Sequence, residues 1–172
     1  MNVNFRVEAI KDVDESYDPS MDKMDVAPYI ARQKARAHNL NDDELLITAD
    51  TIVVCEGEIL GKPKDEQDAE RMLAALSGRT HLVVSGVCVR WHESPAQTIK
   101  EVVLKEVTKV QFAPLSPEEI HYYVSNFKPL DKAGAYGIQE WIGCIGIKSI
   151  EGDFYNVMGL PTQQLYEFLK SI

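Results

Sequence analysis

Two long strand-like segments in the middle of the chain restrict the folds that it can adopt. Apolar and polar residues alternate regularly over Thr98–Phe112, which predicts one long β-strand. The segment His81–Arg90 is largely apolar and predicts a second, buried strand, and the polar segment Trp91–Gln97 joins the two as a hairpin. We therefore expect a fold that is built around a sheet.

The other elements alternate along the chain between strands and helices. Further strands are predicted at Phe5–Ala9, Leu45–Cys55, Ile59–Leu60, Trp141–Ile150 and Phe154–Val157. Helices are predicted over Val26–Ala37 behind the N-cap Asp25, over Asp65–Gly78, from the capping box Ser116–Glu119 to just before Pro129, and after Pro161. This order favours an α/β or mixed α+β fold in which helices flank a mixed sheet. The first helix has small apolar residues, so we expect it to pack closely.

Length and charge limit the classes of protein to which the chain can belong. With 172 residues it is long enough for one well-cored domain, which we expect to span residues 1–172. A formal net charge of -9 argues against binding a nucleic-acid polymer or an anionic membrane, because both need a basic surface. No apolar run approaches the roughly 18 residues of a membrane span, and no secretory leader is visible. Cys55, Cys88 and Cys144 lie in apolar settings, which is typical of reduced core thiols in a cytoplasmic protein.

Two polar, glycine-containing regions are the strongest candidates for a functional site. Asp50 and Thr51 interrupt the apolar run Leu45–Val54, and a carboxylate in a buried strand is costly unless something binds it. Gly61-Lys62-Pro63 follows shortly after, and the segment Asp131–Gln139 is a second polar loop that ends in an amide. We expect these regions to form one site.

The residue types in these regions suit phosphoryl chemistry. Carboxylates such as Glu15 and Asp50 can hold a divalent ion, and lysines can neutralise phosphate charge together with that ion. The candidate lysines are Lys34, Lys62 and Lys132. Asp50 is the best candidate for a general base that orients a water, and the Gln139 amide has a donor and an acceptor with which to read a nucleobase edge.

Each of these residues also has a plainer interpretation. An aspartate such as Asp50 at a strand end often caps the following turn. The acidic pair Asp14-Glu15 can simply be solvated, and Lys62 can lie on the surface without a ligand. Local sequence leaves these alternatives open.

Taken together, the segments resemble the Maf family of nucleoside triphosphate pyrophosphatases along essentially the whole chain. The matching blocks follow the family's order: Asp12–Ser16, Ala31–Ala35, Ala49–Thr51, Gly61–Pro63, Leu76–His81, Asp131–Gln139 and Val157–Pro161. The resemblance implies an elongated Maf/ITPase-like fold with two lobes and a central cleft, often as a homodimer. It also implies cleavage of a nucleoside triphosphate into monophosphate and pyrophosphate with a divalent metal cation, Mg2+ or Mn2+.

The resemblance also implies roles for individual positions. The catalytic roles fall on Asp50 as general base, Glu15 as an acidic residue of the metal site with Asp50, and Lys34 and Lys62 as phosphate contacts. Lys132 is expected to bind substrate.

Two positions match the subgroup of the family that prefers dTTP and UTP over 7-methyl-GTP. They are Thr51, directly after the catalytic aspartate, and Gln139, at the end of the glycine-containing loop. An amide can pair with the O4 and N3–H edge of uracil or thymine, whereas a cationic methylated guanine favours a carboxylate. We therefore expect a dTTP/UTP pyrophosphatase.

Two features depart from the family pattern. Members begin with a strand and a Ser-x-Ser-Pro-Arg-Arg loop whose counterpart would precede Met1, so we expect its phosphate contacts and one strand to be missing. Glu140-Trp141 follows Gln139 where many relatives have small residues, which would alter the rim of the pocket. The first departure motivates an alternative, a catalytically impaired nucleotide-binding or regulatory protein of the septum-formation inhibitor type. A purely structural domain would leave the co-occurrence of the blocks unexplained.

Overall fold

One antiparallel sheet forms the centre of the molecule. The structure is a computed structural model that describes residues 4–9, 13–93 and 98–172. Within these ranges the strands are β1 (Leu45–Cys55), β2 (Glu58–Leu60), β3 (Thr80–Glu93), β4 (Thr98–Phe112) and β5 (Ile147–Glu151). They lie in the order β2-β1-β3-β4-β5, and each neighbouring pair is antiparallel. The expected combination of sheet and helices is confirmed, but the sheet of the described residues is antiparallel and not mixed. A tight turn at Glu56-Gly57, both at positive φ, leads β1 directly into β2 and allows antiparallel pairing alone.

The predicted central hairpin is confirmed and is longer than expected. β3 and β4 pair from Thr80 opposite Gln111 to Glu93 opposite Thr98. Residues 94–97, which are predicted to belong to the connection, lie outside the described residues. The middle of β3 is covered on both faces, as a central strand must be.

The described residues form six α-helices: α1 (Lys23–Ala37), α2 (Glu66–Leu76), α3 (Pro117–Phe127), α4 (Trp141–Gly146), α5 (Phe154–Val157) and α6 (Thr162–Leu169). Two predicted helix starts are confirmed, since Asp65 caps α2 and Ser116 forms a capping box with Glu119 at the start of α3. α1 begins before the expected Val26 because the side chain of Asp22 accepts a hydrogen bond from the Met24 N–H at 2.8 Å. None of these helices is long and apolar enough to cross a membrane.

Predictions near the start of the chain and for one cysteine are wrong. Residues 4–9 form no strand, and Phe5 and Val7 are exposed, because no strand in the described ranges pairs with this segment. Residue 12 of the predicted acidic loop lies outside the described residues. Cys144, which we expect in the core, is exposed on α4, while Cys55 and Cys88 are buried as predicted.

Two further predicted strands are helices in the structure. Trp141–Gly146 forms α4 before β5 begins, because a short apolar run has no period that distinguishes a buried helix from a strand. Phe154–Val157 forms α5 because the Asp153 side chain accepts a hydrogen bond from the Tyr155 N–H at 2.7 Å and caps a helical turn. In both places a local cap or tertiary packing outweighs strand propensity.

Small residues let α1 lie directly on the sheet, as expected. The residues that face the sheet are fully buried: Ala27, Ala31 and Ala35. Gly86 of β3 provides the space, since a Cβ atom there would lie 2.3 Å from the backbone of Pro28. This close approach brings Lys34 of α1 over β1.

Buried apolar side chains form one large cluster that joins α2 and α3 to the sheet. Smaller clusters lie beneath α1 and beneath α6. The space between α1 and the large cluster is the place where polar side chains gather.

Candidate functional site

A cleft of about 360 Å³ opens beside β1, between α1 and the loop that joins α3 to α4. It is lined by six of the seven site residues predicted from the sequence: Lys34, Asp50, Thr51, Lys62, Lys132 and Gln139. The seventh, Glu15, reaches the cleft through its contact with Lys34. The fold therefore assembles in one place residues that are far apart in the sequence.

β1 presents Asp50 and Thr51 where its outer edge is open. β2 pairs with β1 over Val53–Cys55, and beside Asp50 the described residues supply no further strand on that edge. Asp50 lies opposite Gly86 of β3 and Thr51 lies opposite Ser85, so the two site residues point to opposite faces of the sheet. Groups from both faces can thus line one cleft at the open edge.

Lys34 joins the two predicted carboxylates. Its Nζ atom lies 2.7 Å from Asp50 Oδ1 and 3.0 Å from Glu15 Oε1. The side chain of Asp50 is 14% exposed, whereas that of Glu15 is 52% exposed. Asp50 is thus the inner member of the group and Glu15 the outer one.

Burial sets the acid–base properties of this group. Burial raises the pKa of Asp50, and the adjacent Lys34 ammonium opposes this shift without cancelling it. Burial also lowers the pKa of Lys34, but the hydrogen bonds and charges of Asp50 and Glu15 outweigh burial and leave that pKa raised. Asp50 is consequently a stronger base than an exposed aspartate, and it stands beside a protonated lysine.

Lys62 lies on a loop that is tied to the opposite wall of the cleft. The Gly134 N–H donates to the Gly61 carbonyl at 3.0 Å and so joins the two glycine-containing loops. Among the described residues Lys62 makes no hydrogen bond or ion pair, and its charge acts on Asp50 and Asp131 from a distance. Its ammonium is therefore available to an anion that enters the cleft.

Lys132, in contrast, is already paired. Its Nζ atom lies 2.9 Å from Asp131 Oδ1 and 3.3 Å from Glu140 Oε1. Gln139 precedes Glu140 and lines the cleft. The sequence predicts Glu140 only as a change at the pocket rim, whereas in the structure its carboxylate contacts a site lysine.

Thr51 fastens the loop after α5 to the sheet. Its Oγ1 atom lies 2.7 Å from Ser85 Oγ and donates to the Gly159 carbonyl at 3.2 Å. Val157 and Met158, next to this glycine, line the cleft. The matching block Val157–Pro161 thereby becomes a wall of the site.

Tyr136 and His81 form a part of the site that was not predicted from the sequence. Tyr136 lines the cleft, and its hydroxyl lies 2.8 Å from His81 Nε2 in the interior. Phe112 packs edge-on against both rings, with centroids 5.1 Å from His81 and 5.0 Å from Tyr136. Burial lowers the pKa of His81 to about 4, so the imidazole is neutral at neutral pH. No spacing in the sequence signals a pair that is 55 residues apart.

The carboxylates of the cleft suit a metal ion that arrives with a ligand. No group of three or more His, Cys, Asp or Glu side chains converges within the described ranges to hold an ion. Glu15 and Asp50 nevertheless both contact the Lys34 ammonium, at 3.0 and 2.7 Å. Mg2+ is usually held by one or two carboxylates together with substrate phosphates and water. Glu15 and Asp50 are the residues of the cleft that could hold such a cation.

The chain is similar over nearly its whole length to known proteins. A family profile described as Maf-like protein matches residues 1–172. The dTTP/UTP pyrophosphatase of Parabacteroides distasonis is 50% identical over 172 residues, which cover 99% of this chain and 86% of the relative. That of Porphyromonas gingivalis strain W83 is 49% identical, with 99% and 84% covered, and that of Bacteroides fragilis strain YCH46 is 48% identical, with 100% and 87% covered. The fold, the composition of the cleft and these similarities agree, and the chain belongs to the Maf family.

Proposed function

We propose that this protein is a nucleoside triphosphate pyrophosphatase, a hydrolase of nucleotide metabolism that cleaves dTTP and UTP to the monophosphate and pyrophosphate. The observation that carries the proposal is the placement of the partly buried Asp50 in the cleft, beside Lys34 and within the field of Lys62. The names of the relatives, dTTP/UTP pyrophosphatase, support the same activity and substrates.

The residues of the cleft suggest how the reaction proceeds. Asp50, whose pKa is raised by burial, accepts a proton from a water molecule as that water attacks the α-phosphate. The new bond joins the water oxygen to the α-phosphorus, and the bond between this phosphorus and the bridging oxygen breaks, so pyrophosphate leaves with the electron pair. Lys34 keeps Asp50 in place, and Lys62 neutralises charge on the phosphates.

We further propose that Glu15 and Asp50 hold a divalent cation, Mg2+ or Mn2+, together with the triphosphate. When bound there, such an ion would neutralise phosphate charge. The convergence of the two carboxylates at Lys34 supports this assignment.

Specificity is proposed to come from the loop that ends at Gln139. Its side-chain amide can donate to O4 and accept from N3–H of uracil or thymine, and it lines the cleft. Thr51 contributes by holding the Gly159 loop as a wall of the pocket. Lys132, on the same loop as Gln139, supports substrate binding.

We also propose a cytoplasmic location and a homodimer. The free thiols Cys55, Cys88 and Cys144 are compatible with a reducing compartment. The open edge of β1 offers backbone groups that a second copy could cover.

The proposed activity is tested by pyrophosphate release from dTTP, UTP, CTP, GTP and 7-methyl-GTP with Mg2+ or Mn2+. We expect selective turnover of dTTP and UTP. Asp50→Asn keeps the size of the side chain and removes the base, so kcat should fall by about 100-fold or more. Circular dichroism checks that the variant is folded.

Other outcomes would change the assignment. Unchanged turnover in Asp50→Asn would refute the role of Asp50. Binding of dTTP without pyrophosphate release from the folded wild type would refute the enzyme and favour a nucleotide-binding regulatory protein.

A further inference from the structure

Glu140 is a partly buried carboxylate at the end of the loop that carries Lys132 and Gln139. One of its oxygens lies 3.3 Å from Lys132 Nζ, and the other accepts a hydrogen bond from the Tyr123 hydroxyl. Its side chain is 21% exposed, whereas that of Asp131, the second partner of Lys132, is 76% exposed. Water screens the outer pair more strongly than the inner one. Asp131 makes the shorter contact with Lys132, at 2.9 Å, whereas the contact with Glu140 is the less exposed and less screened of the two.

The same carboxylate stabilises the turn that precedes Gln139. Tyr123, which is fully buried on α3, accepts a hydrogen bond at 3.1 Å from the Gly137 N–H. The Glu140 N–H donates to the Gly137 carbonyl at 3.0 Å. Glu140, Tyr123 and Gly137 thus form a closed ring of hydrogen bonds around the turn.

Packing at Gly137 shows how closely these groups fit. A Cβ atom on Gly137 would lie 2.9 Å from Glu140 Cδ and 3.0 Å from Lys132 Cε. Both side chains therefore lie directly against the glycine backbone, and neither can move inward. Lys132 is held from one side by the turn and from the other by charge.

The two lysines of the facing loops consequently have different roles. Lys62 makes no hydrogen bond or ion pair in the part of the chain that the structure describes, whereas Lys132 has two carboxylate partners. A phosphate group that enters the cleft can contact the Lys62 ammonium directly. The Lys132 ammonium has three donors, so its two carboxylate contacts hold it in place and leave one donor for the phosphate.

We propose that Glu140 is a positioning residue that fixes Lys132 and the turn before Gln139, and thereby sets the affinity for the nucleotide without taking part in the chemical step. This inference rests on the proposed function and deepens it. Both oxygens of Glu140 make positioning contacts, one with Lys132 and the other with the Tyr123 hydroxyl.

Glu140→Gln provides the test, because glutamine keeps an oxygen for Tyr123 and removes the less exposed of the two charges that hold Lys132. We expect KM for dTTP to rise about tenfold while kcat changes less than about twofold. Loss of a charge-assisted contact away from the reacting atoms weakens binding of the substrate and of the transition state equally. The matched control is Glu151→Gln, which removes an exposed carboxylate paired with Lys109 at 2.9 Å on β4. It should leave both constants unchanged.

A double variant separates positioning from a general loss of structure. In a Lys132→Met background, Glu140→Gln should change KM by less than about twofold, because the lysine on which the charge acts is absent. An equally large rise in that background, or a fall in kcat with unchanged KM, would overturn the proposal. Thermal unfolding of each variant shows that it is folded.

A second readout does not depend on turnover. Acetylation of Lys132 by acetic anhydride, followed by mass spectrometry of the wild type and Glu140→Gln, should be about threefold or more faster in the variant. Loss of the Glu140 charge removes one of the two carboxylate contacts that raise the pKa of the Lys132 amine. Equal rates would overturn the inference even in an active enzyme. Faster acetylation in a protein that does not hydrolyse dTTP would support the contact and refute the proposed function instead.

Discussion

Replacement of Gly86 by alanine should separate α1 from the sheet. The added Cβ atom would lie 2.3 Å from Pro28 Cα and N and 2.6 Å from Ala27 C. Carbon atoms pack favourably at about 3.5–4.0 Å, so α1 must move by more than about 1 Å. The obstructing atoms belong to backbone and cannot rotate away as a flexible side chain could.

The size of the effect follows from this geometry. Overpacking of a buried site costs about 1–3 kcal/mol, and a clash with backbone places Gly86→Ala at the upper end, about 3 kcal/mol. For a chain of this length, that loss corresponds to a fall in Tm of about 6–12 °C. Since Gly86 lies opposite Asp50 and α1 carries Lys34, the contact of 2.7 Å between Lys34 and Asp50 should lengthen, and pyrophosphate release should fall.

Urea denaturation followed by circular dichroism measures the free energy of unfolding. Gly61→Ala is the matched control, because its Cβ atom would meet no atom within 4 Å and its backbone has an ordinary φ. Equal free energies of unfolding for the two variants, within about 0.5 kcal/mol, would refute the reasoning about close packing.

Two further predictions concern protonation. The acid limb of the pH profile of kcat/KM for dTTP should lie at a higher pH than the pKa of an exposed aspartate. The reason is that burial raises the pKa of Asp50, which must be ionised to act as the base. A pH–rate profile measures this. His81 should lower the free energy of unfolding by about 3 kcal/mol between pH 6.5 and about 4, because it takes up a proton in the unfolded chain and not in the folded one. Urea titrations of the wild type and His81→Gln at each pH isolate the contribution of this histidine.

Each protonation prediction has a contrary outcome. An acid limb at the pKa of an exposed aspartate would contradict the prediction that burial raises the pKa of Asp50. Parallel stability curves for the wild type and His81→Gln would mean that the histidine titrates in the fold as it does in the unfolded chain.

Local signals predicted the elements whose ends are set by neighbouring residues. The caps at Asp65 and Ser116 act within three residues, so the starts of α2 and α3 follow from the sequence. The regular alternation over Thr98–Phe112 likewise predicts β4 with its observed ends. Local signals failed at Trp141–Gly146, where a short apolar run packs as a helix against the loop before it.

The candidate site was predictable to the extent that its chemistry was visible in single residues. Carboxylates, lysines and an amide in polar, glycine-containing segments indicated phosphate and nucleobase contacts, and the predicted residues line one cleft. The pairing of His81 with Tyr136 and the role of Glu140 carried no such signal. Each depends on partners that packing brings together from distant parts of the chain.

The sequence by itself determined the family, the central hairpin and the residue types of the site, because periodicity, caps and motifs act over a few neighbouring positions. Tertiary structure decided which of those residues work together. The register that sets Asp50 opposite Gly86, and the absence of a side chain there, allow α1 to bring Lys34 within 2.7 Å of Asp50. Distance, burial and pKa are properties of that packing, since they depend on what lies across a strand pair or a helix face and not on what is next in the chain.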